Sequence, residues 1–127
     1  MKRMRAADVR SIMSSPVVTV LFNEPVKVAV RKMIEHQVGS VVVMSGGLPV
    51  GIVTERDLLK IMAEGRDPDK MLTSDVMSKP LVTVGPDAPV TQAIALMKEK
   101  AIRRIPIVKE NKLIGIVTEK EIIRNLL

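Results

Sequence analysis

Apolar and polar positions along this chain follow one pattern twice. Val17 to Val20 is a short apolar, β-branched run behind Pro16, which predicts a strand. Val26, Ala29, Val30 and Met33 then recur at helical spacing, with Pro25 suited to the first turn of that helix. Ser40 to Met44 is an apolar run too continuous to face water on either side, so it predicts a buried strand. Gly46-Gly47 turns the chain, and Leu48 to Val53 returns as the hairpin partner. A closing helix is predicted from about Glu55 to Ala63. The pattern then repeats. Val82 to Val84 matches the first strand, and Val90, Ala93, Ile94 and Met97 match the helix. Arg104 to Val108 and Leu113 to Val117 form a second hairpin around Glu110-Asn111-Lys112, and Glu119 to Leu127 forms the second closing helix.

A shift of 64 residues aligns 11–63 with 75–127 without a gap, and 16 of the 53 pairs are identical. Such register does not arise by chance, and an internal repeat decides the fold before any single motif does. Each copy reads β-α-β-β-α, a mixed α/β (α+β) class. The expected organisation is a helical lead-in over 1–12 (the helix itself about Met4 to Met13), a first repeat over 13–70 and a second over 71–127. A short helix near Ser74 to Met77 precedes the second copy, and GRDPDK (65–70) is the polar connector. A copy of roughly 55 residues cannot bury its own sheet. The two copies are therefore expected to pack as a pseudo-two-fold pair, sheet against sheet, leaving an apolar helix face for a homodimer.

Composition narrows the functions. The 127 residues include one aromatic, Phe22, and nine Met, so the core is aliphatic. There is no Cys, which removes disulfide and thiol chemistry and fits a reducing cytoplasm. No apolar run approaches the roughly 18 residues of a membrane span, and MKRMRAADVR carries charge without an apolar segment after it. The reading is a soluble, cytoplasmic protein with no membrane partner. The net charge of +6 divides as +3 in each half, so it favours anionic partners in general without forming a basic tail. With no Trp or Tyr, base stacking is hardly available, and a specific nucleic-acid role is disfavoured. His36 is the lone histidine, late in the first helix, and no carboxylates cluster at ligand spacing, so no metal site and no catalytic residue are assigned.

GIVTERD (51–57) and GIVTEKE (115–121) hold the candidate chemistry. Thr followed three residues later by an acid is a capping box, which Thr118 and Glu121 satisfy fully and Thr54 and Asp57 less well, because Asp is one methylene shorter. The same helix starts offer free N–H groups and partial positive charge to a phosphate, and a carboxylate offers paired acceptors to ribose hydroxyls. Arg103 and Arg104 form a potential phosphate fork, where the first copy has Gly39 and Ser40. Arg56 and Lys120, each just before the motif acid, are further cationic candidates. Gly51 and Gly115 fit a close backbone approach or a β-bulge.

These features, in order and twice, resemble a pair of CBS domains: the Val-Thr-Val strand, the Pro-Val helix start, RRIPIV (103–108), and GIVTERD with GIVTEKE. The resemblance covers nearly the whole chain. It implies a regulatory module, not an enzyme, with two clefts between the repeats. Those clefts would bind AMP, ADP, ATP or S-adenosylmethionine, with no cofactor required. By the same resemblance Asp57 is the ribose ligand and Thr54 its neighbour, whereas Glu121 departs from the family's Asp, so the Asp57 cleft is expected to bind better. The adenine slot would come from Val20, Leu21 and Phe22, or Val84, Gly85 and Pro86, with Val38 and Ile102 beyond and Ile52 and Ile116 from the motif strand. The repeats fill the chain, so any regulation is expected to act on a separate protein partner. The alternatives are a structural dimerisation module with idle clefts, or a weak nucleic-acid binder.

Overall fold

The computed structural model describes residues 7–125. The protein has a mixed α+β architecture that divides into two compact units, one of Val18–Leu81 and one that combines Met1–Val17 with Val82–Leu127. This division cuts the chain differently from the boundaries at 12/13 and 70/71 read from the repeat. Each unit holds one repeat together with the segment that precedes the other repeat.

In the first unit, β1 (Thr19–Leu21) runs parallel to β2 (Ser40–Ser45), and β2 pairs antiparallel with β3 (Leu48–Thr54). The central strand carries Val41, Val42 and Val43, all fully buried, as its continuous apolar run requires. Helix α1 (Val26–His36) buries Val26, Ala29 and Met33. Pro25 is its extended N-cap and stands one residue outside the helix, where the sequence reading placed it in the first turn. Lys32 ties the helix to the sheet by donating from Nζ to the Thr19 carbonyl at 2.6 Å. The hairpin turns at Gly46 and Gly47, with φ of +58° and +80°, the two positive values that a type I′ turn demands. β2 and β3 shift register between Val43 and Met44, leaving Val50 as an extra residue. Helix α2 (Glu55–Ala63) closes the repeat.

The connector then folds back onto this same repeat. The Met71 carbonyl accepts the Val26 N–H at 2.9 Å, taking up one of the free donors at the start of α1. Helix α3 (Thr73–Val76) begins with a fully buried Thr73, whose N–H and hydroxyl both donate to the Glu24 carbonyl, at 2.8 and 2.7 Å. Ser78 joins the outer edge of β3 by two bonds with Ile52, at 2.8 and 3.3 Å.

The second unit repeats this plan. Helix α4 (Val90–Lys100) precedes the antiparallel pair β4 (Arg104–Lys109) and β5 (Lys112–Thr118), and α5 (Glu119–Arg124) follows. The hairpin turn is two residues, Glu110 and Asn111, both left-handed, and Lys112 already belongs to β5. The expected strand over Val82 to Val84 is reduced to a single parallel bridge from Val84 to Ile107. The closing helix stops at Arg124, where Asn125 donates from Nδ2 to the Glu121 carbonyl at 2.7 Å; residues 126 and 127 of the expected helix lie outside the described residues.

The segment before the first repeat completes this second unit. Val90 donates its N–H to the Ala7 carbonyl at 3.1 Å, the counterpart of Val26 and Met71 one repeat length earlier. Ser14 pairs with Ile116 on the edge of β5, as Ser78 does with Ile52. Among the described residues the expected lead-in helix is only a 3-10 turn, Val9–Ser11, and Met4 to Ala6 lie outside them. Val9 and Arg10 donate their N–H groups to the carbonyls of Ala88 and Pro86, at 2.8 and 3.2 Å, so those groups are not available to an α-helix. Val9 is fully buried in an aliphatic core with Val90, Ala93, Ile105, Ile107 and Val117.

Candidate functional site

Each G-I-V-T motif ends a strand and starts a helix. Thr54 and Thr118 are extended N-caps with nearly identical backbone angles, φ −118° and −120°. Gly51 and Gly115 precede them beside the bulges, and their missing side chains admit a methionine. A Cβ on Gly51 would lie 2.5 Å from Met77 Sδ and 2.9 Å from its Cγ, and one on Gly115 would lie 2.8 Å from Met13 Cγ. The close approach these glycines permit is therefore by the protein's own chain.

The two caps differ in how they use their acids. Glu121 spends both oxygens on its own box: Thr118 donates from its N–H to Oε1 at 3.2 Å and from its hydroxyl to Oε2 at 2.9 Å. The longer side chain lies back over the cap and is buried, 8% exposed. The Thr118 hydroxyl accepts from the Lys120 N–H at 3.2 Å. Asp57 closes its box with one oxygen. Oδ2 accepts from the Thr54 N–H at 2.8 Å and from the Thr54 hydroxyl at 3.1 Å, and the Asp57 N–H returns a bond to that hydroxyl at 3.3 Å. Asp is thus not the poorer cap; its shortness brings the carboxylate directly onto the Thr54 N–H. It leaves Oδ1 pointing away from the box, where it accepts from the Ser78 hydroxyl at 3.0 Å. Asp57 is half-buried and Ser78 exposed.

Gly39 and Ser40 meet this helix start: the Gly39 carbonyl accepts the Glu55 N–H at 3.1 Å, and Ser40, buried, pairs with Thr54. Val38 precedes them, partly exposed, and Ile52 stands two residues before Thr54 on the strand that Ser78 edges. Arg56 is exposed on the first turn. Val20 and Phe22 do not join this group within the unit. Val20 pairs with Val43, and Phe22 donates its N–H to the Met44 carbonyl. Met44 is four residues along β2 from Ser40, about 13 Å away. The parallel direction of β1 places its C-terminal end at the turn end of the hairpin, away from Ser40 and Thr54.

In the second unit Arg103 and Arg104 meet the start of α5 in the same way, whereas Ile102 donates its N–H to the Met97 carbonyl at the end of α4, and Lys120 and Glu121 bond to Thr118. The Arg103 carbonyl accepts the Glu119 N–H at 3.1 Å, and Arg104 pairs with Thr118 across the strands. The Arg103 guanidinium lies 3.8 Å from the Glu119 carboxylate, both well exposed. Ile116 pairs with Pro106 and bridges Ser14. Val84 and Pro86 again lie toward the turn end of the hairpin: Val84 bridges Ile107, about 10 Å along β4 from Arg104. Ser78 escaped the sequence reading. The signal was present, because Ser14 and Ser78 are an identical pair in the repeat alignment.

Among the described residues no group of three or more His, Cys, Asp or Glu could hold a metal ion, and no helix is long and apolar enough to cross a membrane.

The sequence model of the CBS domain matches residues 9–64 and 74–127. A CBS domain-containing protein of Bacillus subtilis, YhcV, is 38% identical over 112 residues, covering 87% of this chain and 79% of that protein. An uncharacterised protein of Methanopyrus kandleri is 43% identical over 127 residues, covering 95% of this chain; the chain spans 63% of that relative's length. Among solved structures, the CBS domain pair of protein MJ0100 in complex with 5′-methylthioadenosine and S-adenosyl-L-methionine is similar with a TM-score of 0.85 at 28% identity. That match covers 93% of this chain and 94% of that one.

Proposed function

This chain belongs to the CBS domain family, and on that premise we propose that it is a regulatory module that binds an adenosine-containing small molecule at the start of α2. The ligand is AMP, ADP, ATP or S-adenosylmethionine. The observation that carries this reading is the outward Oδ1 of Asp57, held at a helix N-terminus whose other oxygen already closes the cap. It offers an acceptor to a ribose hydroxyl without dismantling the helix. The N–H groups of the first turn favour a nearby phosphate, and the partly exposed Val38 offers apolar surface beside them. The adenosine ligands of the similar CBS pair support the ligand class. Both Glu121 oxygens accept from Thr118, so the second helix start is assigned a structural cap, with Arg103, Arg104 and Lys120 in the surrounding sequence. Regulation acts on a separate protein partner. A homodimer is supported by the exposed Leu59 and Met62 on α2.

Calorimetry with the four ligands tests the assignment. Binding is expected, weakened at least about tenfold by Asp57→Ala through loss of charged-acceptor hydrogen bonds, and little changed by Glu121→Ala. Absence of binding to all four at millimolar concentration, or the reverse order of the two variants, would refute it.

A further inference from the structure

We infer that Ser78 is a second reader of the ribose, so that the diol is recognised by an Asp57 Oδ1–Ser78 Oγ pair rather than by the carboxylate alone. This rests on the assignment of Asp57 as the ribose ligand.

An ionised carboxylate has about four acceptor positions and no donor. Two of them, on Oδ2, are taken by the N–H and the hydroxyl of Thr54. A third, on Oδ1, is taken by Ser78 at 3.0 Å. One position therefore remains on Asp57, while two adjacent ribose hydroxyls need two acceptors. The Ser78 hydroxyl gives its single proton to Asp57 and keeps its acceptor lone pairs. Oδ1 and Oγ thus form two neighbouring acceptors, at a short spacing suited to vicinal hydroxyls.

Ser78 is placed for this by its backbone. Its N–H and carbonyl both bond to Ile52, at 2.8 and 3.3 Å. The close seat against Gly51 holds Met77 and the Ser78 carbonyl in register with the motif strand. The hydroxyl comes from the segment joining the two repeats, so the site reads the ribose with a residue that G-I-V-T-E-R-D does not contain. The second unit provides an internal control. Ser14 makes the same backbone bridge to Ile116, but Glu121 turns both oxygens inward to Thr118.

Adenosine, 2′-deoxyadenosine and 3′-deoxyadenosine, titrated against the full chain by NMR, separate the possibilities. In the wild type both deoxy analogues bind more weakly than adenosine. Ser78→Ala removes one acceptor, and the lone pair it frees lies on the same Oδ1 that already takes the other hydroxyl, so it is expected to weaken adenosine about fivefold, the scale of one neutral hydrogen bond, while leaving one deoxy analogue unchanged, because that analogue lacks the hydroxyl Ser78 receives. Ser78→Thr retains the discrimination, and Ser14→Ala changes nothing. Equal losses for all three nucleosides in Ser78→Ala, or no loss, overturn the inference while an Asp57→Ala defect leaves the ribose assignment standing. No adenosine binding by the wild type at millimolar concentration, or binding indifferent to Asp57→Ala, defeats both.

Discussion

Val9→Ala is expected to weaken the second repeat and not the first, although Val9 precedes the first repeat in the chain. Val9 is fully buried and lies in the core of α4, β4 and β5. The substitution removes two methyl groups, about 1.6 kcal/mol of transfer free energy at about 0.8 kcal/mol each. Incomplete collapse of the cavity adds to this, for a total of about 2–3 kcal/mol. Met71→Ala is the matching perturbation on the other side. Met71 is 6% exposed and belongs to the cluster of Val26 and Ile61 in the first unit. Its truncation costs about 2–5 kcal/mol. Native-state hydrogen exchange resolves where each loss falls, because protection reports local and sub-global opening. Val9→Ala should speed exchange in β4 and β5, and Met71→Ala in β2 and β3. The same hairpin opening first in both variants, or Val9→Ala opening β2 and β3, would refute the crossed assignment of the two lead-in segments.

Three further outcomes follow from the geometry of the motifs and of the second hairpin turn. Glu121→Ala should cost about 1–2 kcal/mol in urea denaturation, because it removes the acid that Thr118 donates to twice. Gly51→Ala should destabilise by about 1–3 kcal/mol through the clash with Met77, and a double-mutant cycle with Met77→Ala should recover part of that loss. Glu110→Gly should raise the melting temperature slightly, since Glu110 sits at φ +50°, where a side chain costs about 1 kcal/mol relative to glycine.

The sequence alone determined the repeat, the order of elements and the hairpins. Those signals are local: period-3.6 spacing in Val26 to Met33, the continuous Val41 to Val43, and Gly46-Gly47 at a turn needing two positive φ values. It also located both helix starts, because Thr followed by an acid three residues on is a signature within one turn. The lead-in helix failed for a reason the local pattern cannot contain: Val9 and Arg10 find distant carbonyls at Ala88 and Pro86.

Which lead-in completes which repeat is set by long-range packing. The two motif strands share Gly-Ile-Val-Thr-Glu, so the edges offered at Ile52 and Ile116 are chemically the same, and a pattern that repeats every 64 residues is indifferent between them. Folding resolves that degeneracy by docking Met13 and Ser14 on Gly115 and Ile116, and Met77 and Ser78 on Gly51 and Ile52. The same docking settled the difference between the two acids. The sequence pointed to a one-methylene change from Asp57 to Glu121. The structure adds that the shorter arm closes its cap with one oxygen and leaves the other to Ser78, whereas the longer arm folds both oxygens back onto Thr118.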